Sequence, residues 1–298
     1  MVNDLLQILL SERPLFITSE GYRLLAMMLL PYIKHGVKPE AETILHGHMQ
    51  AQVAATPFLT EDYLDPDQPH DSIAVHLVCG FITAESKWYF SSKQLEKDLL
   101  DAEANPSISA HLLYINSGGG EAYYLDRLSE TLRSLKKPVF TLCEQTMGSA
   151  AYYIGCHGCR VYATTQNDFV GSIGVMTSFH DFEPYFEQMG IKLIEAKATQ
   201  SDLKNKMAND LLAGRPEQYI HDVLDPLCEQ FLSEVCSQRK RLADLDRDHP
   251  VLRGEIYLGQ RAEELGLIDG IRTLPETVEE IQNYVRQQRE LNTILDSI

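Results

Sequence analysis

From residue 72 onward, short apolar runs alternate with longer amphipathic ones. "SIAVHLVCG" (72–80) and "ISAHLLYINSGGG" (108–120) are compact, β-branched runs that end on glycine, the pattern of buried strands. "PVFTLCEQ" (138–145), "RVYATTQ" (160–166) and "IKLIEAKA" (191–198) predict further strands. Between them, "SSKQLEKDLLDAEANP", "EAYYLDRLSETLRSLKK", "GSAAYYIGCHG" and "FEPYFEQMG" predict helices, the first stopped by Pro106. Strands alternating with helices imply an α/β domain with a mainly parallel sheet.

The ends of the chain have a different texture. "DLLQILL" and "GYRLLAMMLLPYI" carry helical apolar spacing, and the Asp- and Pro-rich "TEDYLDPDQPHD" reads as a linker. Residues 1–70 are therefore expected to form a helical appendage and linker. Past residue 216, Ile220, Val223, Leu224, Leu227, Phe231 and Val235 share one helical stripe, with Pro226 starting or kinking a helix. "VLRGEIYLGQRAEELGLIDGI" predicts strand, helix and strand, and "ETVEEIQNYVRQQREL" a last amphipathic helix. The expected divisions are 1–70, 71–275 and 276–298.

Composition narrows the function. A chain of 298 residues with net charge −17 is repelled by phosphate backbones, so nucleic-acid partners are not expected. Its longest apolar stretch, about twelve residues ending near Pro31, is shorter than the roughly 20 a membrane span needs. The N-terminus lacks a basic start and a small-residue cleavage site, so no signal peptide, no membrane anchor and a cytoplasmic location are expected. The six cysteines read as reduced thiols, and the lone C-x-x-C of Cys156 and Cys159 has no second pair at zinc-finger spacing. No His-rich or carboxylate cluster suggests a catalytic metal, and no cofactor motif is present: G-x-G-x-x-G is absent, and no Gly-Lys-Ser/Thr follows the glycines.

Two features carry chemistry. Gly118, Gly119 and Gly120 follow a strand and precede a helix; such a loop exposes N–H groups to an oxyanion, or is a tight turn. Ser149 follows the next strand and opens a helix, as a nucleophile or as an N-cap. Consecutive strand-to-helix turns of a parallel sheet lie at one edge, where ligands bind, so Ser149 and the glycine amides can converge on one carbonyl. Ser117 and Ser172 read as turn residues, the latter beside the substrate groove. His76 and His111 fall in strands and His157 and His180 in loops, each without an acidic partner at a telling spacing.

On these residues the chain resembles the signal peptide peptidase A family of serine proteases, related in fold to the Clp protease and crotonase superfamily. "YINSGGGEA" resembles that family's D/N-S-P-G-G, "MGSAAYYIG" its nucleophile turn, "NDFVGSIGV" its G-S-I-G-V, and residues 253–271 its closing G-R-x-x-x-G-x-x-A-x-x-x-G-L-V-D. Gly118 replaces the usual proline, and Ala150–Ala151 a glycine pair; neither removes a backbone donor. The resemblance implies a repeated ββα superhelix, a Ser/Lys dyad with Ser149 as nucleophile, and an oxyanion hole from Gly119, Gly120 and Ala150. It places the lysine base in "IEAKATQSDLKNKMAND", where Lys204 fits best and Lys206 and Lys197 are alternatives. It further implies a polypeptide substrate and a homo-oligomer. Lacking an anchor, the chain resembles the short phage and prophage forms of capsid maturation, which points to a capsid or scaffold protein as substrate within a procapsid. Two other readings are an inactive capsid scaffold of the same fold and a crotonase-type acyl-CoA enzyme.

Overall fold

The computed structural model describes residues 15–17 (backbone only), 41–86, 89–178, 187–190, 192 and 194–296. The helices expected at 4–10 and 21–33 and most of that at 182–190 lie outside the described residues.

The described strands form one sheet: β1 (Leu15–Ile17), β2 (Leu59–Thr60), β3 (Ser72–Thr83), β4 (Phe90–Ser91), β5 (Ile108–Glu121), β6 (Val139–Gly148), β7 (Arg160–Ala163), β8 (Phe169–Gly171), β9 (Ile256–Leu258) and β10 (Gly270–Ile271). Its main path runs β10-β7-β6-β5-β3-β2, parallel throughout. β8 adds to β6 in parallel beyond the end of β7, and β9 pairs antiparallel with β8. The α/β class and mainly parallel sheet are as the alternating pattern predicts.

Sequential side chains of the central strands enter opposite faces, and both faces are covered. In β5, Leu113 and Ile115 pack with Leu95, Leu128, Tyr152, Phe231 and Val235. Their neighbours Leu112 and Tyr114 pack on the other side with Phe140, Leu142, Val278 and Ile281. This two-sided burial is why the strands read as unbroken apolar runs rather than alternating ones. Helices α1 (Ala41–Ala55) and α8 (Leu274–Asp296) close the second face; Met49 and Val53 of α1 are buried with Ile73 and Val75. The first face carries α2 (Ser92–Ala104), α3 (Leu125–Ser134), α4 (Ala150–Gly155) and α6 (Asp225–Gln238), while α5 (Lys206–Leu212) and α7 (Gly259–Leu265) lie in the C-terminal third. Ser91 caps α2, its hydroxyl accepting from the Gln94 N–H at 3.2 Å, and Pro226 sits in the first turn of α6.

Two expectations are corrected. The glycines 118–120 are not a loop. They are the end of β5, still paired with β3 through Phe81–Gly119 and Ile82–Gly120. The run 191–198 is not a strand at its described positions, 192 and 194–198, all of which are exposed. Its alternation has the strand period, but a strand needs a neighbour for its N–H and C=O groups, and among the described residues none runs alongside.

Helices α3, α4 and α6 are tied by an ionic cluster around the buried side chains of His157 and Glu234. His157, just past α4, hydrogen-bonds Glu234 of α6 at 3.0 Å and Ser129 of α3 at 2.9 Å, and Arg133 of α3 also donates to Glu234. Burial alone would raise the Glu234 carboxyl, but His157, Gln238 and Arg133 outweigh it and bring it down to about 2. A depressed carboxylate stabilises the fold above its unfolded value and loses that contribution as pH falls through the folded value. The loss therefore spans about pH 4.5 to 2. Glu234→Gln should lower the melting temperature at pH 7 by on the order of 5 °C. It should also flatten the acid limb over that window, as read from thermal melts in a pH series.

Candidate active site

Ser149 occupies the junction of β6 and α4, at φ 55° and ψ −116°, a conformation that costs a non-glycine residue about 1–3 kcal/mol. The junction is held from both sides. The Ser149 N–H donates to the Gly171 carbonyl at 2.9 Å, and the Ser149 carbonyl accepts from the Tyr153 N–H at 2.9 Å. All six residues of α4 are buried, and the Tyr152 hydroxyl is fixed by the Leu267 carbonyl at 2.9 Å. A Cβ on Gly155 would lie 2.4 Å from Met147 Sδ and 3.0 Å from Ile115 Cδ1, so the helix rests directly on the sheet. Close packing thus accounts for the small residues of "GSAAYYIG" but not for the strained serine. Nor is Ser149 an N-cap: its hydroxyl bonds no helix N–H and instead lies 3.5 Å from the Gly174 carbonyl.

The end of β5 lies beside this junction. Ser117 is opposite Met147, two residues before Ser149. Gly119 has φ 104°, and its N–H donates to Ser117 Oγ at 3.1 Å, while Ser117 Oγ donates to the Gly80 carbonyl at 2.6 Å. Ser117 therefore braces the glycine run. Gly120 is required for another reason: a Cβ there would sit 2.0 Å from the Ile82 carbonyl oxygen. Glu121 ends the strand, buried, with Oε2 accepting the Ala84 N–H at 2.7 Å. Ala150, the first residue of α4, carries one of the N–H groups that have no partner within a helix.

On the far side of Ser149 lies residues 171–174. Gly171 has φ 129° and Ser172 φ 55°, and the Ser172 N–H donates to the Glu255 carbonyl at 2.7 Å. Ser172 is thus held by the segment entering β9, as a turn residue next to the serine.

The three candidate lysines lie on an exposed stretch. Lys206 pairs with Asp210, and Lys197 approaches Glu195 at 4.0 Å. Lys204 forms no ion pair among the described residues, and none of the three hydrogen-bonds Ser149. Nearby, Ile194 and Leu203 are 84% and 71% exposed.

Two polar anchors went unread in the sequence. Arg239 grips Asp269 through two bonds of 2.8 and 2.9 Å and also donates to the Gly266 carbonyl, while Asp269 accepts the Val161 N–H at 2.8 Å. Burial would raise the Asp269 carboxyl, but Arg239 holds it below its usual range. Asp168, buried, accepts from both Thr164 and Thr165 at 2.7 Å and fixes the turn into β8. Arg239 and Asp269 stand thirty positions apart, which leaves no spacing signal. Nor did spacing reveal the histidine partners: His76 bonds His111 at 3.1 Å, and His111 bonds Glu103 at 3.1 Å. His180 lies outside the described residues. All six cysteines are free thiols, and no helix among the described residues is long and apolar enough to cross a membrane. Among the described residues no group of three or more His, Cys, Asp or Glu could hold a metal ion.

The site is thus a strained serine between a parallel strand and a buried helix, flanked by a braced glycine strand end. Peptidase family S49 matches this chain over residues 131–288, more than half its length, from before β6 through Ser149 into α8. The chain belongs to that family. It is 29% identical over 196 residues to "Protease 4" of Haemophilus influenzae, covering 64% of this chain and 31% of that protein. It is 26% identical over 223 residues to "Putative signal peptide peptidase SppA" of Enterococcus faecium, covering 72% and 63%. A shorter likeness, 33% over 97 residues, is to "Head-tail preconnector protein GP5" of Enterobacteria phage P21, covering 32% and 19%. The matches thus span less than two thirds of each relative.

The Gly120 contact yields a stability prediction. Gly120→Ala forces β3 and β5 apart at the site and should cost about 3 kcal/mol or more, the upper end of overpacking. Chemical denaturation should show this loss. A glycine needed only for exposed N–H groups would tolerate Ala with a change under about 1 kcal/mol.

Proposed function

We propose that this chain is a serine-type endopeptidase with a Ser/Lys dyad, built on a Clp/crotonase-type repeat of ββα units. The observation that carries the reading is Ser149 itself. A buried serine is held at positive φ by two backbone hydrogen bonds where a helix N-cap role is unused, beside a strand end stripped of side chains. Membership of a peptidase family agrees with it.

In this reading Ser149 Oγ attacks the substrate carbonyl carbon and its proton passes to a neutral lysine amine. The amides of Ala150 and of Gly119 or Gly120 stabilise the oxyanion. The peptide C–N bond then breaks, and the leaving amine takes the proton from the lysine. Water attacks the acyl-serine in the second half, freeing the acid and restoring Ser149. The Gly119 amide must first give up its bond to Ser117, so Ala150 is the readier donor.

Lys204 is the base in this scheme, with Lys206 and Lys197 as alternatives. An amine accepts a proton only when uncharged, and burial favours the uncharged form. The exposed stretch around Ile194 and Leu203 has to be covered before it can serve, and a neighbouring copy of the chain supplies that cover. The substrate is an extended polypeptide. The partial likeness to a phage head-tail preconnector protein makes a capsid or scaffold protein the first substrate to test, with the procapsid as its setting.

A fluorophosphonate probe should label the wild type at Ser149 and leave Ser149→Ala unlabelled, with peptidase activity lost by about 10⁴-fold or more. Labelling elsewhere, or activity within tenfold of wild type in Ser149→Ala, would falsify the assignment. Lys204→Ala should be as inactive and should remove the rise of rate with pH, whereas Lys197→Ala and Lys206→Ala should keep both. Light scattering should give a mass of several chains, and an Ile194→Asp, Leu203→Asp variant should shift toward one chain and lose activity together. A wild type that stays monomeric at high concentration while remaining active would remove the need for a covering copy.

A further inference from the structure

The end of β5 has two edges, and the structure fills both. One edge pairs with β3, through Ile82 opposite Gly120. The other pairs with β6 as far as Ser117 opposite Met147, and there β6 ends and turns into α4 at Ser149. The edge so vacated is taken by β1. Leu15, Phe16 and Ile17 lie antiparallel opposite Glu121, Gly120 and Gly119. Because Ile82 lies opposite Gly120 on one side, Phe16 lies on the other, the side of Ser149. The direction matters as well. Running from Glu121 toward Gly119, β1 heads for the row where β6 stops, about 7 Å along the strand from the Met147 pair at about 3.3 Å per residue.

An extended peptide entering by strand addition would use this same edge. We infer that the chain's own segment Leu15–Ile17 acts as an internal substrate mimic, docked on the Gly119–Glu121 edge in competition with polypeptide substrates. The inference rests on the peptidase reading for its meaning but on the strand register for its placement. Being tethered, the segment competes at high effective concentration without needing tight contacts. If the edge is free for only about a tenth of the time, substrate affinity is reduced about tenfold, and undocking the segment restores it.

Alternate N–H groups along a strand face its partner, so either Phe16 or Ile17 donates into β5, and proline at that position removes the bond. The test uses the full chain with Ser149→Ala, so that no catalysis intervenes. The probe is a fluorescein-labelled peptide copying residues 11–21 (SERPLFITSEG), followed by anisotropy. Adding Phe16→Pro or Ile17→Pro should tighten peptide binding by about tenfold in at least one of the two, with an unchanged thermal melt. If proline lowers the melt, Phe16→Gly should shift affinity in the same direction by less. Equal affinity in all backgrounds, or no binding to any, overturns the inference. Fluorophosphonate labelling of the wild type separates the two readings. Tighter binding in a chain whose Ser149 does not label supports the docked strand and removes the peptidase; equal affinity in a chain that labels normally removes only the docked strand.

Discussion

The site depends on how closely backbones approach where β5 and β6 end. Gly120 leaves the Ile82 carbonyl in the space a Cβ would need, and Gly155 lets α4 settle onto Met147 and Ile115. Between these contacts Ser149 has no freedom to relax to an ordinary helical or extended conformation, since its N–H and C=O are both engaged. Its strain is small beside the packing of Tyr152, Tyr153 and Ile154, all buried in the main core. A serine in such a position is held at one orientation before any ligand arrives, which is what preorganisation requires.

The other half of the proposed dyad is built on opposite terms. The stretch from residue 194 to 206 buries almost nothing, and its apolar Ile194 and Leu203 face outward. Nothing within the described chain desolvates a lysine there. The proposed nucleophile is thus fixed by intramolecular packing, whereas the proposed base has no such cover among the described residues. In the proposed reading activity is coupled to assembly, because among the described residues nothing covers Lys197, Lys204 or Lys206.

The legibility of the sequence follows the same physics. β3, β5 and β6 could be read because burial on both faces produces unbroken apolar runs, and α4 because a small-residue helix sits on the sheet. The glycines 118–120 misled because glycine is the commonest mark of a turn. Here positive φ at Gly119 and a close approach at Gly120 demand it inside a paired strand. The run "IKLIEAKA" misled because alternation is necessary for a strand but insufficient without a partner edge. Arg239–Asp269 and His157–Glu234 were invisible because ion pairs across distant elements leave no periodicity. β1 is only three residues long, too short for any pattern. Ser149 and Ala150 stood out as candidates because they sit where β6 turns into α4, and Gly119 and Gly120 because glycine marks a position where a side chain does not fit.

An unpaired strand edge is a hazard in any sheet, since it invites pairing with whatever extended chain is near. Most folds cover such edges permanently. A peptidase that takes its substrate by strand addition has to leave one exposed, at the place where the nucleophile is poised. In the docking proposed above, the short β1 resolves this conflict. Three residues pair too weakly to close the edge for good, yet their tether keeps them near. An extended substrate that pairs over more of its length displaces them, while stray segments with shorter contacts do not. The same weakness that hides β1 from sequence reading suits it to this role.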